Sequence, residues 1–100
     1  MMSDQAAFEL QDDGRIRLRG RLGFGSVPAL WDQLHRHCAG VSAIEVDLGG
    51  VESADSAGLA LLIACMREAQ RAGASVRFLN MPAQLLDIAR LSSLDEILPL

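Results

Sequence analysis

One stretch decides the fold of this chain: Val46-Asp47-Leu48-Gly49-Gly50-Val51-Glu52-Ser53-Ala54-Asp55-Ser56-Ala57-Gly58-Leu59-Ala60-Leu61-Leu62. It continues a strand, Ile44 to Leu48, in which every second residue is apolar. Gly49 and Gly50 are expected to end that strand. Asp55 or Ser56 can cap a following helix, because a short oxygen-bearing side chain accepts from the free N–H groups of a first turn. The stretch therefore predicts a strand, a tight loop and a helix, the junction at which α/β sheets place their sites.

The helix of this stretch is expected over residues 56–72, before Gly73, and is the most apolar of the chain. Its apolar residues recur at a spacing of three and four, which is typical of a helix that buries one face. This core-facing stripe consists of Leu59, Leu62, Ile63 and Met66.

The rest of the chain alternates strands and helices around that unit. Residues 8–11 and 15–19 alternate apolar and polar side chains on either side of an Asp-Asp-Gly turn, so they predict an antiparallel hairpin, followed by a glycine-rich loop over 20–25. The order β-β-α-β-α-β-α predicts a single α/β domain with a mixed, mostly parallel sheet covered by helices. The further elements are a helix over 26–38 capped by Ser26, a strand over 75–79, a helix opened by Pro82 and a last short turn over 94–100.

Composition bounds the class of protein. With 100 residues, half of them hydrophobic, the chain is expected to form one domain over residues 1–100. A net charge of −4 disfavours nucleic-acid binding. Cys38 and Cys65 fall among apolar residues of predicted helices and are expected to be buried and reduced. The sequence has no secretory signal, no apolar run long enough to span a bilayer and no plausible zinc set, so a cytoplasmic protein without a cofactor is expected.

Side chains outside the predicted core leave alternatives open. The arginines of residues 15–19 alternate with apolar residues and are interpreted as a solvated strand face, with a docking ridge as the alternative. Trp31, the only tryptophan, lies beside the core stripe of its helix, so it is either a core residue or an exposed anchor for a partner. His35 and His37 lie on different faces of that helix and are interpreted as solvent-exposed residues rather than catalytic ones.

The segments Val46–Val51 and Ala54–Leu59 are similar to the signature of the STAS domain family. That family includes anti-sigma factor antagonists and the cytoplasmic tails of sulphate transporters. The resemblance covers nearly the whole chain, from the opening hairpin to the final helix. It implies the STAS fold and a role in binding another protein.

A closer resemblance is to the MlaB-type STAS subunits of the bacterial Mla phospholipid transporter, through Leu30-Trp31, residues 55–62 and Ile97-Leu98-Pro99. It implies a non-catalytic accessory subunit that docks on the cytoplasmic ATPase of an inner-membrane ABC transporter moving phospholipid. The subunit would lie peripheral to the membrane through that partner, without inserting into it. Ser56 would hydrogen bond across the contact, and Gly58 would let the partner approach closely. The expected partner-binding residues are Trp31, Asp55, Ser56, Ala57, Gly58 and Leu59.

One position departs from the anti-sigma factor antagonists. Their motif is typically Asp-Ser-Ser-Gly, and the partner kinase phosphorylates the second serine, which corresponds here to Ala57. Alanine has no hydroxyl to carry the phosphate and its charge. An anti-sigma factor antagonist that binds its kinase without the usual phosphoacceptor is therefore kept as the alternative function.

An enzyme or small-ligand domain is the third possibility. A helix N-terminus that follows a strand can hold an anion. The chain nevertheless contains no lysine, and so no Walker A motif, and no Gly-x-Ser-x-Gly elbow. We therefore expect no catalytic activity.

Overall fold

Seven elements follow one another in the predicted order. A computed structural model describes residues 6–38 and 40–93, so the turn expected over 94–100 lies outside the described residues. The elements are β1 (Ala6–Leu10), β2 (Ile16–Leu22), α1 (Val27–Cys38), β3 (Ala43–Ala54), α2 (Ser56–Arg71), β4 (Ser75–Leu79) and α3 (Ala83–Leu91).

The four strands form one sheet in the order β1-β2-β3-β4. β1 and β2 pair antiparallel, whereas β2 with β3 and β3 with β4 pair parallel through the helical crossovers. The hairpin turn closes because Gly14 adopts φ +88° and Asp13 Oδ1 accepts from the Arg15 N–H at 3.0 Å. The predicted mixed, mostly parallel α/β sheet is thus confirmed.

One face of the sheet carries the core. Strand pairing places Phe8 opposite Leu18 and Val46 opposite Phe78, so their side chains share this face, against which the helices pack. Burying an aliphatic side chain of this size contributes about 1.5–3 kcal/mol. The largest fully buried side chains are Ile16, Leu18, Leu22, Leu34, Leu48, Leu61, Leu62, Leu85, Val46, Cys38 and Cys65.

The opposite face of the sheet is charged. Arg19 Nη2 lies 3.0 Å from Glu9 Oε2, and Arg15 Nε lies 2.9 Å from Glu45 Oε1. Because these side chains are about half exposed, the pairs add little to stability. In the described part of the chain, Arg15 and Arg19 of the row are thus ion-paired and half exposed, whereas Arg17 has no ion pair and its Nε is buried without a hydrogen-bond partner.

The expected break at Gly49 and Gly50 is wrong, because β3 continues to Ala54. β2 also runs three residues further than expected, and its Arg19 lies opposite Gly50. A Cβ on Gly50 would lie 2.7 Å from Arg19 Cγ, so any larger residue at position 50 would clash with the Arg19 side chain on the neighbouring strand. Pairing with β2 thus overrides the local preference of glycine for a turn.

The cap predicted at Ser26 has a different role. Its hydroxyl donates to the Arg21 carbonyl at 2.6 Å and accepts from the Gly23 N–H at 3.1 Å. The side chain therefore ties the loop before α1 back to the end of β2. This loop begins at Gly23, because Gly20 to Leu22 belong to the strand.

Asp47 on β3 gives a pH-dependent contribution to stability. Its Oδ1 accepts from Asn80 Nδ2 at 2.9 Å and from the Gly49 N–H at 2.8 Å. The hydrogen bond from Asn80 lowers the pKa of the Asp47 carboxyl most, and the bond from Gly49 lowers it further. The positive charges of Arg17 and Arg15 have smaller effects in the same direction. The stabilisation is present above the unfolded pKa of about 3.9 and is lost as the pH falls through the folded pKa.

We therefore expect the Asp47→Asn variant to lose more unfolding free energy, relative to the wild type, at pH 5 than at pH 2.5. Urea unfolding of both proteins at the two pH values measures this difference. An equal loss at both pH values would contradict the assignment.

Candidate functional site

The junction between β3 and α2 is organised by Asp55. This residue is extended, with φ −119° and ψ −163°, and its Oδ1 accepts from the Ala57 N–H at 2.8 Å. Its carbonyl accepts from the Gly58 N–H at 3.0 Å. Asp55 is therefore the N-cap of α2, and Ser56 is the first helical residue. A cap of this kind contributes about 1 kcal/mol.

The same residue joins the ends of two parallel strands. The Asp55 N–H donates to the Leu22 carbonyl at 3.1 Å, where β2 ends. Gly23 follows, and a Cβ built on it would lie 3.2 Å from Asp55 Oδ2. The loop that leads to α1 thus begins beside the first turn of α2.

Three predicted partner-binding residues face inward. Leu59 is 4% exposed and Ala57 is 9% exposed, and Gly58 is buried as well. A Cβ on Gly58 would lie 3.0 Å from Leu22 Cβ and 3.2 Å from both Ala54 Cβ and the Leu22 carbonyl oxygen. The close approach that Gly58 permits is therefore between α2 and the strand ends, not between the chain and a partner as expected.

Of the other predicted residues, Ser56 is exposed, and Trp31 and Asp55 are half-buried. Ser56, Ala60 and Ala64 recur every fourth residue and so line one side of α2. An apolar groove of about 190 Å³ runs between this side and α1. We call the groove together with Ser56 the docking surface; the groove is lined by Val27, Pro28, Trp31, Ala60, Leu61 and Ala64.

Trp31, for which the sequence left a core position and an exposed position open, lies between the two. It is half-buried and packs against the hydrophobic core. Its remaining surface lines the groove opposite the small residues Ala60 and Ala64. An indole beside small residues leaves an apolar recess of the kind that a partner side chain can fill.

Phe24 was missed by the sequence analysis. It is 77% exposed, in the loop that Gly23 places beside Asp55. A single phenylalanine between two glycines, outside any apolar periodicity, is a signal that could have revealed it. A large exposed aromatic residue close to the start of α2 extends the apolar character of this end of the molecule.

A second cavity, of about 270 Å³, lies at the carboxyl ends of β2 and β3. Here Gln84 Oε1 already accepts from the Ala54 N–H at 2.8 Å, and the Asp55 carboxylate occupies the N-terminus of α2. A negative charge at that position repels an anion, so the arrangement disfavours the anion site considered in the sequence analysis. Within residues 6–38 and 40–93, no group of three or more His, Cys, Asp or Glu side chains is placed to hold a metal.

The two cysteines lie in the core, as expected, and both are free thiols. The pKa of the Cys65 thiol is raised, mainly by its hydrogen bond with Cys38 and to a smaller extent by burial. A thiol that stays protonated and is shielded from solvent is a poor nucleophile. Cys65 therefore does not suggest covalent chemistry. The hydrogen bond between the two thiols lowers the pKa of Cys38, but this thiol is buried and so shielded from solvent.

Comparison with known proteins now identifies the fold. A family model described as "Mlab, STAS domain" matches residues 6–99. An anti-sigma factor antagonist from Mycobacterium paratuberculosis has a TM-score of 0.78 and 24% identity, over 96% of this chain and 85% of that one. SpoIIAA in its unphosphorylated form has a TM-score of 0.73 and 24% identity, over 90% and 84%. The phosphorylated form of this Bacillus cell fate determinant has a TM-score of 0.69 and 22% identity, over 90% and 86%.

The structural similarities lie below 25% identity and so concern the fold alone. No protein with a curated description matches the chain. No helix in the part of the chain described by the structure is both long and apolar enough to cross a membrane.

Proposed function

Because this chain belongs to the STAS domain family, we propose that it is a non-catalytic accessory subunit that docks on the ATPase of a phospholipid ABC transporter. The observation that carries the proposal is the match of residues 6–99 to the MlaB-type family model. In this proposal the chain is one STAS domain over residues 1–100, cytoplasmic, and held at the inner membrane only through its partner. It requires no cofactor.

The docking surface supports a protein partner. A recess bounded by a tryptophan and two alanines accepts an aliphatic or aromatic side chain, and a tryptophan in such a place often carries much of the binding energy. Ser56 adds an exposed hydroxyl that can donate and accept at the edge of the same surface. An apolar centre with a polar edge is the usual composition of a specific interface.

Ala57 favours the transporter over the alternative of an anti-sigma factor antagonist. The related SpoIIAA exists in phosphorylated and unphosphorylated forms. Here the corresponding side chain has no hydroxyl and is 9% exposed. A docking surface without this acceptor suits a partner that is bound permanently, as a transporter subunit is, rather than released by phosphorylation.

Affinity purification tests the proposal. The tagged chain is expressed at its native level, detergent-solubilised membranes are applied, and the retained proteins are identified by mass spectrometry. We expect an ABC ATPase together with its permease. The Trp31→Ala chain is the matched control, and we expect it to retain much less of both. Recovery of a histidine-kinase-like anti-sigma factor instead would overturn the proposal.

A further inference from the structure

Trp31 is held by a second aromatic ring. The rings of Trp31 and His35 lie 5.2 Å apart between centroids and are nearly parallel, with an angle of 8° between their planes. The two residues are one helical turn apart on α1, where side chains four positions apart meet. The stack therefore covers one side of the indole, while the groove lies beside Trp31.

On α2, Glu68 lies beside the imidazole. His35 Nδ1 lies 3.8 Å from Glu68 Oε2, and Glu68 Oε1 lies 3.2 Å from Arg71 Nη1. The Glu68 side chain is only 18% exposed, so its position is restricted. Trp31, His35, Glu68 and Arg71 thus form a continuous row from the docking surface on α1 to the last turn of α2.

We propose that His35 is a positioning residue of the docking surface, which holds the Trp31 indole in the orientation that the partner receives. The inference rests on the proposed function, in that the partner is the transporter ATPase. An indole fixed before binding loses less rotational freedom on association, and this lowers the entropic cost of the contact. Glu68 acts on Trp31 through His35.

His37 is a matched control on the same helix. Its ring packs edge to face on Phe8 of β1, with the centroids 6.1 Å apart. It therefore lies on a different side of α1 from Trp31. Replacing His37 changes the histidine content of the helix without touching the stack.

The first experiment needs no partner. Trp31 is the only tryptophan, so intrinsic fluorescence reports on its surroundings alone. A ring stacked on the indole restricts its rotation on the nanosecond timescale that fluorescence anisotropy reports. We expect the anisotropy of Trp31 to be lower in His35→Ala than in the wild type, and to be unchanged in His35→Phe and His37→Phe. An anisotropy of His35→Ala equal to that of the wild type would overturn the proposal.

The second experiment measures binding to the purified ATPase subunit by isothermal titration calorimetry. His35→Ala is expected to weaken binding about twofold to tenfold, the value of one aromatic pair. His35→Phe keeps a ring on Trp31 and is expected to bind like the wild type, as is His37→Phe. This rescue separates positioning from a merely structural role.

The binding results also distinguish the inference from the proposed function. If His35→Ala binds like the wild type while Trp31→Ala binds poorly, the positioning role is wrong and the docking surface stands. If the ATPase does not bind the wild type, the proposed partner is wrong, and the fluorescence anisotropy still decides whether His35 holds the indole.

Discussion

Replacement of Ser56 by arginine is expected to weaken binding to the ATPase about a hundredfold or more while the chain remains folded. Ser56 is exposed at the first position of α2, beside the groove. A long charged side chain there must either lose its hydration in the interface or hold the two proteins apart, which costs several kcal/mol. The fold is kept because Asp55, and not Ser56, caps the helix.

Two further variants sharpen this test. Ser56→Glu carries the opposite charge and suits the helix N-terminus, so if both variants lose binding, the cause is bulk and desolvation rather than the sign of the charge. Gln70→Arg places the same new side chain at an exposed position in the last turns of α2 and is expected to bind normally. Binding of Ser56→Arg within about threefold of the wild type, measured by calorimetry, would remove Ser56 from the site.

Replacement of Gly58 by valine is expected to destabilise the fold by about 2–3 kcal/mol and to lower Tm by roughly 10 °C or more. The added Cβ would already lie 3.0 Å from Leu22 Cβ and 3.2 Å from the Leu22 carbonyl oxygen. The second contact is with backbone that Asp55 holds by a hydrogen bond, so the end of β2 cannot retreat freely. The two methyl groups of valine require a further displacement.

Ala60→Val is the matched control for this stability measurement. It introduces the same branched side chain into the same helix at an exposed position, where only the small loss of helix propensity of about 0.5 kcal/mol is expected. Chemical unfolding and calorimetric melting of the two variants measure the difference. A Gly58→Val chain as stable as Ala60→Val would mean that α2 does not approach the strand ends as closely as the structure describes.

These two variants separate the two sides of one helical turn. Ser56 lies on the solvent side and Gly58 on the core side of the first turn of α2. We therefore expect Ser56→Arg to lose binding without loss of stability, and Gly58→Val to lose binding only to the extent that the chain unfolds. The segment that suggested a continuous partner-binding surface thus contains residues that face in opposite directions.

Local patterns were sufficient for the elements whose signals act over a few residues. The Asp-Asp-Gly turn predicted the hairpin, and the spacing of three and four predicted α2 and the burial of its residues Leu59, Leu62 and Met66. The end of α2 was also correct, because Gly73 takes the φ of +73° that a glycine after a helix commonly adopts. Of the two candidates for the cap, the structure selects Asp55.

Features that depend on residues distant in the chain were not predictable in this way. The length of β3 follows from its pairing with β2, and the position of Ser26 follows from where β2 ends. Whether Gly58 serves a partner or the core depends on what faces it, and here that is Leu22. Sequence spacing reports which side of an element a residue occupies, but not what lies opposite.

The sequence by itself thus determined the order of the elements, their apolar faces and the STAS family signature, since propensity, periodicity and capping act between near neighbours. Only the tertiary structure decided which residues of the signature reach solvent. It brought α1 beside α2, so that Trp31 and Ala60 line the same groove. It also stacked Trp31 on His35, which lies beside Glu68. Such a surface exists only after packing, because its parts lie about thirty residues apart in the chain and meet through the burial of the apolar faces between them.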